Sequence, residues 1–313
     1  MAVVAIIPAR YGSTRFPGKP LATIDGKPMI QHVYERATEA SGLDRVLVAT
    51  DDGRIFETVK AFGGEAVITS DKHASGTDRV AEVARKLTVK WIVNLQGDLP
   101  FIRPETIART VRLVLREPRL VMATAKTLIG SAEEWTNPNV VKIVTNAAGF
   151  ALYFSRAPIP YPREAQGRRN GNQAAWGYRH LGLYVYRRDF LLKLARLRPV
   201  PLERTEGLEQ LRALTHGYGI RVVEVDEPSV EVDTPEDLTK AQAYFASWRA
   251  APRAEPRTGP STKLRTGPST RLRTGSAPPR EGRGGPCRAV DGRCRGGRHA
   301  ETADPPRRCR SAG

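Results

Sequence analysis

Along residues 1 to about 249, apolar positions recur with two periods, one suited to strands and one to helices. Ala2-Val3-Val4-Ala5-Ile6-Ile7 is an unbroken, β-branched run that breaks at Pro8-Ala9-Arg10, as a strand buried on both faces would. Helical spacing over Met29–Glu39 precedes a strand, Arg45–Thr50, which ends at Asp51-Asp52-Gly53. Arg54–Phe62 reads as a helix leading to Gly63-Gly64, Glu65–Thr69 as a strand, and Asp78–Lys86 as a helix. Lys90–Leu95 is then a buried strand ending at Gln96-Gly97-Asp98-Leu99-Pro100. Strands separated by short helices predict an α/β fold: a doubly wound, mostly parallel, Rossmann-like sheet.

From Val121 to Tyr186 the rhythm changes. Val121–Leu128, Val140–Thr145, Phe150–Phe154 and His180–Tyr186 read as strands joined by irregular segments containing Pro and Gly. This predicts a smaller antiparallel excursion that covers a substrate or pairs two subunits. Residues 161–178 read as a long loop of the functional kind. Helical patterning returns at Arg188–Leu197 and Leu208–His216, and Gly219–Val225 is a further strand. A last helix follows Val232-Asp233-Thr234-Pro235-Glu236-Asp237-Leu238 and runs to Trp248.

Charge divides the chain in two. Residues 1–249 carry +7 of the formal +17, and the remaining +10 sits in 250–313 together with all three cysteines. The body therefore has no disulfide framework, which fits a reducing compartment. No signal peptide is expected, and no apolar run approaches the length of a membrane span. In the tail, Arg257-Thr258-Gly259-Pro260-Ser261-Thr262-Lys263-Leu264 recurs nearly unchanged as Arg265–Leu272. Such composition predicts a disordered, basic 250–313, separate from a single domain over 1–249. A nucleic-acid tether is the different-class alternative for the whole protein. The tail lacks interleaved aromatics, so nucleic-acid binding is not expected.

Candidate chemistry gathers where strands end. The loop after the first strand holds Arg10, Arg15 and Lys19, with Gly12 and Gly18 allowing backbone amides to approach a ligand. Ligands of open α/β sheets bind at these carboxyl ends, and three cations suit a triphosphate. A P-loop is excluded, because five residues separate the glycines and Pro20 follows Lys19 where a hydroxyl is needed. A solvated basic turn is the plainer alternative. Asp98, just past a buried strand, and Asp233 are candidate carboxylates for Mg2+. On its own residues Asp233 reads first as a helix N-cap ahead of Pro235.

Taken in order, the motifs resemble those of the 3-deoxy-manno-octulosonate (KDO) cytidylyltransferases over residues 1 to about 248. They are Ile7-Pro8-Ala9-Arg10-Tyr11, Pro17-Gly18-Lys19-Pro20, Ser75-Gly76-Thr77-Asp78-Arg79, Gln96-Gly97-Asp98, Asn137-Pro138-Asn139, Arg179-His180-Leu181-Gly182-Leu183-Tyr184, Leu208-Glu209-Gln210-Leu211-Arg212 and Val232-Asp233-Thr234-Pro235. The resemblance implies a nucleotidyltransferase sheet and coupling of CTP to KDO, with release of pyrophosphate, for lipopolysaccharide synthesis. Another 2-keto-3-deoxy sugar acid is the alternative substrate. By the same resemblance Arg10, Arg15 and Lys19 are catalytic, with Lys19 stabilising the transition state. Pro8, Ala9, Ser13, Ser75, Gly76, Arg79 and Gln96 would join these three in holding nucleotide. Arg163, His180, Tyr184, Glu206 and Glu209 would bind the sugar, and Asp98 and Asp233 would hold Mg2+. Glu206 and Glu209 are expected on one helix face. A cytoplasmic homodimer is implied. Leu99 stands where the family commonly has an acid, removing one charge beside the expected metal.

Overall fold

The computed structural model describes residues 2–12, 15–163, 176–226 and 230–250, with side chains through 247. Ser13 and the tail beyond 250 lie outside the described residues.

β1 (Val3–Ala9) sends Val3, Ala5, Ile7 and Ala9 into one apolar cluster and Val4 and Ile6 into another, the two faces of a period-two strand. A single 3-10 turn, Lys19–Leu21, leads to a short hairpin, β2 (Thr23–Ile24) and β3 (Lys27–Pro28). Its Asp25 and Gly26 have φ of 49° and 77°, the Asp-Gly geometry of tight hairpins. α1 (Met29–Thr38), β4 (Arg45–Thr50), α2 (Gly53–Ala61), β5 (Ala66–Ile68), α3 (Gly76–Arg85) and β6 (Trp91–Leu95) follow close to the predicted spans. Asp52 and Ser75 cap α2 and α3 by accepting from the amides of Arg54 and Asp78.

α4 (Pro104–Arg116) occupies a stretch where no element is expected, although its pattern is helical. Pro104 opens it, Ile107, Val111 and Val114 are buried, and Arg109, Arg112 and Arg116 face outward. β7 (Met122–Leu128), α5 (Ala132–Thr136), β8 (Lys142–Thr145), β9 (Ala151–Ser155) and β10 (Tyr178–Arg187) come next. The chain continues with α6 (Arg188–Leu194), α7 (Pro201–Glu206), α8 (Gln210–Thr215), β11 (Arg221–Glu224) and α9 (Pro235–Ala250).

The main sheet has the order β11-β7-β10-β6-β1-β4-β5. β1 is parallel to β4 and β6, and β4 to β5, while β10 runs antiparallel between β6 and β7. The expected antiparallel strands are thus present, but β7 and β10 stand inside the main sheet and only β8 and β9 extend off it. One face carries Ile30 and Val33 of α1, Ile55 of α2 and Ile107 of α4. The other carries Val80 and Ala84 of α3 with Leu191 and Leu194 of α6. No helix among the described residues is long and apolar enough to cross a membrane.

One local expectation is corrected. Gly207, at φ 64°, ends α7 at Glu206, and α8 starts at Gln210, so Glu206 and Glu209 do not share one helix. Val230-Glu231-Val232 is in no strand; the Val232 amide instead donates to the Asp98 carbonyl at 3.1 Å.

Candidate active site

A cavity of about 450 Å3 opens at the carboxyl ends of β1 and β6. Pro8, Ala9 and Arg10 form one side, and Gln96, Gly97 and Asp98 the adjacent one. The loop after β1 folds back so that the Gly18 amide donates to the Tyr11 carbonyl at 2.9 Å. Gly18 has φ 73°, and a Cβ there would lie 3.2 Å from the Tyr11 ring, so glycine is required twice over. The Arg54 guanidinium covers the other end of this stack, 3.4 Å from the Tyr11 ring centre. The stack sets Arg15 and Lys19 on the cavity wall with exposed Arg10.

Lys19 Nζ lies between two carboxylates, 3.4 Å from Asp98 Oδ2 and 3.1 Å from Asp233 Oδ1. Arg15 reaches Asp233 at 3.3 Å and Asn139 Oδ1 at 3.3 Å. Burial works against the Lys19 charge, but the two carboxylates outweigh it and raise its pKa above the ordinary value. A paired, all-oxygen donor set already facing a cation fits a hard ion such as Mg2+, which takes one or two protein carboxylates plus phosphate oxygens. No cluster of three or more such side chains with metal-binding geometry occurs among the described residues. Asp233 does not cap the following helix. Thr234 Oγ1 accepts from the Asp237 amide, and the Asp237 carboxylate accepts from the amides of Asp233 and Thr234. Leu99 is 5% exposed within an apolar cluster, so residue 99 belongs to the core.

The residues expected to hold nucleotide divide into liners and braces. Ser75 and Gly76 present the α3 N-terminus to the cavity, with Gly76 against Pro8. Arg79 also lines it, but its guanidinium is engaged by Asp51 at 2.7 Å and by Thr69. Gln96 reaches in from beside Gly182, where a Cβ would lie 3.0 Å from Gln96 Oε1.

On the expected sugar side, His180 and Tyr184 both line the cavity with ring centres 5.0 Å apart. Four residues apart on β10 they share one face, and the register against β7 shifts between Leu181 and Tyr184. Glu209 is also there, with Oε2 accepting from Thr77 Oγ1 at 2.5 Å. Glu206 is not a liner: it accepts from Ser155 Oγ at 2.7 Å and from the Arg156 amide at 2.9 Å, anchoring β9. Arg163 is exposed and is not among the liners. Arg156, Asn139, Thr77, Asn94 and Gln210 line the cavity without having been expected to. Asn139, Thr77 and Gln210 stand in family motifs, and Asn94 is the one polar residue of an otherwise apolar strand.

Burial lowers the His180 pKa from 6.5 to about 3, with the neighbouring Arg179 charge adding to the effect. The folded protein therefore excludes a proton that the unfolded chain takes up below pH 6.5. This contribution to stability is complete above that pH and is lost as pH falls towards 3, at about 1.4 kcal/mol per pH unit. Melting curves between pH 7 and 4.5 are expected to fall more steeply for wild type than for His180→Gln. Equal slopes would remove His180 as a source.

A family profile described as "Cytidylyltransferase" matches residues 4–224. A 3-deoxy-manno-octulosonate cytidylyltransferase of Syntrophotalea carbinolica is 56% identical over 247 residues, covering 78% of this chain and 99% of that protein. The structure of a CMP:2-keto-3-deoxy-manno-octonic acid synthetase complexed with CTP matches with TM-score 0.72 and 46% identity. That match covers 79% of this chain and all of the other. A 4-diphosphocytidyl-2C-methyl-D-erythritol synthase from Anaerococcus prevotii, 13% identical with TM-score 0.52, covers 78% of this chain and 96% of its own, and shares the fold alone. With its motifs in order, its cations and paired carboxylates facing one cavity, and relatives matched almost end to end, the chain belongs to the 3-deoxy-manno-octulosonate cytidylyltransferase family.

Proposed function

We propose that this protein couples CTP to 3-deoxy-manno-octulosonate, giving the CMP-linked sugar and pyrophosphate, in the cytoplasm and for lipopolysaccharide synthesis. The observation that carries this reading is the convergence of Arg10, Arg15, Lys19, Asp98 and Asp233 on one cavity, in a chain 46% identical to a synthetase complexed with CTP. The sugar's anomeric hydroxyl attacks the α-phosphorus, the bond to the β-phosphate oxygen breaks, and pyrophosphate leaves in line. Catalysis is then positioning and charge neutralisation. Arg10 and Arg15 hold the triphosphate, and Lys19, on a flexible stem, follows charge moving to the leaving group. Asp98 and Asp233 hold Mg2+, which when bound neutralises phosphate charge. His180, Tyr184 and Glu209 form the sugar side.

Pyrophosphate release tests the reading, with CTP against ATP, GTP and UTP, and with KDO against other 2-keto-3-deoxy acids. Release with CTP and KDO alone is expected; release only with another sugar acid would move the specificity and keep the chemistry. A chain ending at Ala250 is expected to turn over at the full-length rate, since the relatives match without the tail. Loss of turnover in that folded fragment would give the tail a role, and nucleic-acid binding by the full chain alone would assign it.

A homodimer is part of the proposal. Among the described residues β8 is the one strand that pairs with β9, which carries Leu152 at 59% exposure, and Tyr161 beyond it is 72% exposed. Sedimentation equilibrium is expected to give twice the chain mass, and Leu152→Asp to shift it towards monomer. A wild-type monomer would end this part of the proposal.

A further inference from the structure

Four buried side-chain polar atoms among the described residues make no hydrogen bond: Trp91 Nε1, Trp135 Nε1, Arg179 Nε and Asn94 Oδ1. Of these four residues, Asn94 alone lines the cavity. Its Oδ1 accepts no hydrogen bond from any described residue, although Asn94 is only 2% exposed. Leaving a buried carbonyl oxygen without a donor opposes folding, and proteins rarely retain one without a reason.

The strand places it. Trp91, Val93 and Leu95 of β6 enter the cluster under α1 and α4, so Ile92 and Asn94 face the other side of the sheet. There Asn94 pairs directly with Tyr184 across the antiparallel β6–β10 ladder, which sets the two side chains beside each other. Tyr184 in turn stacks near His180 and near Tyr186, whose ring centre lies 5.7 Å away. Beyond them Thr77 holds Glu209 by one oxygen. The floor at Asn94 thus adjoins Tyr184, on the side assigned above to the sugar.

We propose that Asn94 is a substrate-binding residue whose side-chain amide pairs with a hydroxyl of the acceptor sugar acid. A primary amide suits a hydroxyl, because it can accept from the hydroxyl proton through Oδ1 and donate to the hydroxyl oxygen through Nδ2. The inference rests on the reading that the acceptor is KDO and adds one recognition contact to it.

The test is Asn94→Leu, apolar and of the same branched shape though bulkier, with Asn94→Ala as a second variant should Leu fail to pack. A residue held for its ligand predicts melting at or above wild type, since an unpaired buried carbonyl oxygen is removed. It also predicts kcat/KM for KDO lower by about 10-fold, carried by KM, with the KM for CTP within about 2-fold. Lower melting with both KM values unchanged would make Asn94 a structural residue and overturn the inference. A rise confined to the KM for CTP would overturn it too, assigning the amide to the nucleotide. Wild-type enzyme with CTP and KDO runs beside both variants. If it releases no pyrophosphate, the substrate reading fails; if it turns over and the variants match it in KM, only the Asn94 inference fails.

Discussion

Asp98→Asn and Asp233→Asn are each expected to lower pyrophosphate release from CTP and KDO by about 10²–10³-fold, the scale of removing one electrostatic contact made in a transition state. The two carboxylates come from distant parts of the chain, one after β6 and one before α9. The Val232 amide bonded to the Asp98 carbonyl keeps them together. Both already face one cation, the Lys19 ammonium. Asparagine keeps the shape and removes the charge, so the fold should survive. Circular dichroism and melting close to wild type, with turnover lost, would bear this out. A near-normal rate at saturating Mg2+ would remove that residue from the metal site.

Arg79→Met should act on the other quantity, stability. Arg79 is 4% exposed and spans from α3 to Asp51 after β4 and to Thr69 after β5. Methionine keeps the stem and leaves Asp51 beside an apolar neighbour, a loss of about 3–5 kcal/mol where one partner of a buried pair is removed. For a domain of this size that corresponds to roughly 10 °C in melting temperature. At a temperature where the variant is folded, its KM for CTP should lie within a few-fold of wild type. A large rise in that KM without a change in melting would return Arg79 to the nucleotide contacts.

These two cases show what sequence can and cannot convey. β1, β4 and β6 were legible because strands buried on both faces are continuous apolar runs. Asp98 was legible because an acid directly after such a run points to a strand end. The helix over Pro104–Arg116 carries the same quality of signal in its apolar spacing. Arg79 and Glu206 are different. Each stands in or near a motif, but its duty is decided by partners far along the chain: Asp51 for one, Ser155 for the other. Spacing within a motif cannot separate a side chain that faces a ligand from one that braces the wall behind it. Glu206 and Glu209 failed as a pair through one backbone angle, because Gly207 turns the chain between them.

The position of β10 constrains how the protein can be made. Residues 178–187 form the strand that joins β6, completed by residue 95, to β7, completed by residue 128. A ribosome delivers those edges long before it delivers the strand that closes them. Over that interval β1, β4, β5 and β6 can assemble as a parallel half-sheet with one apolar edge unsealed, and β7 has no neighbour on the same side. Unpaired edges are templates for aggregation. Nascent chains stalled between about residues 130 and 185 should therefore be the species that engages chaperones, and a chain cut within that span should be insoluble rather than partly active.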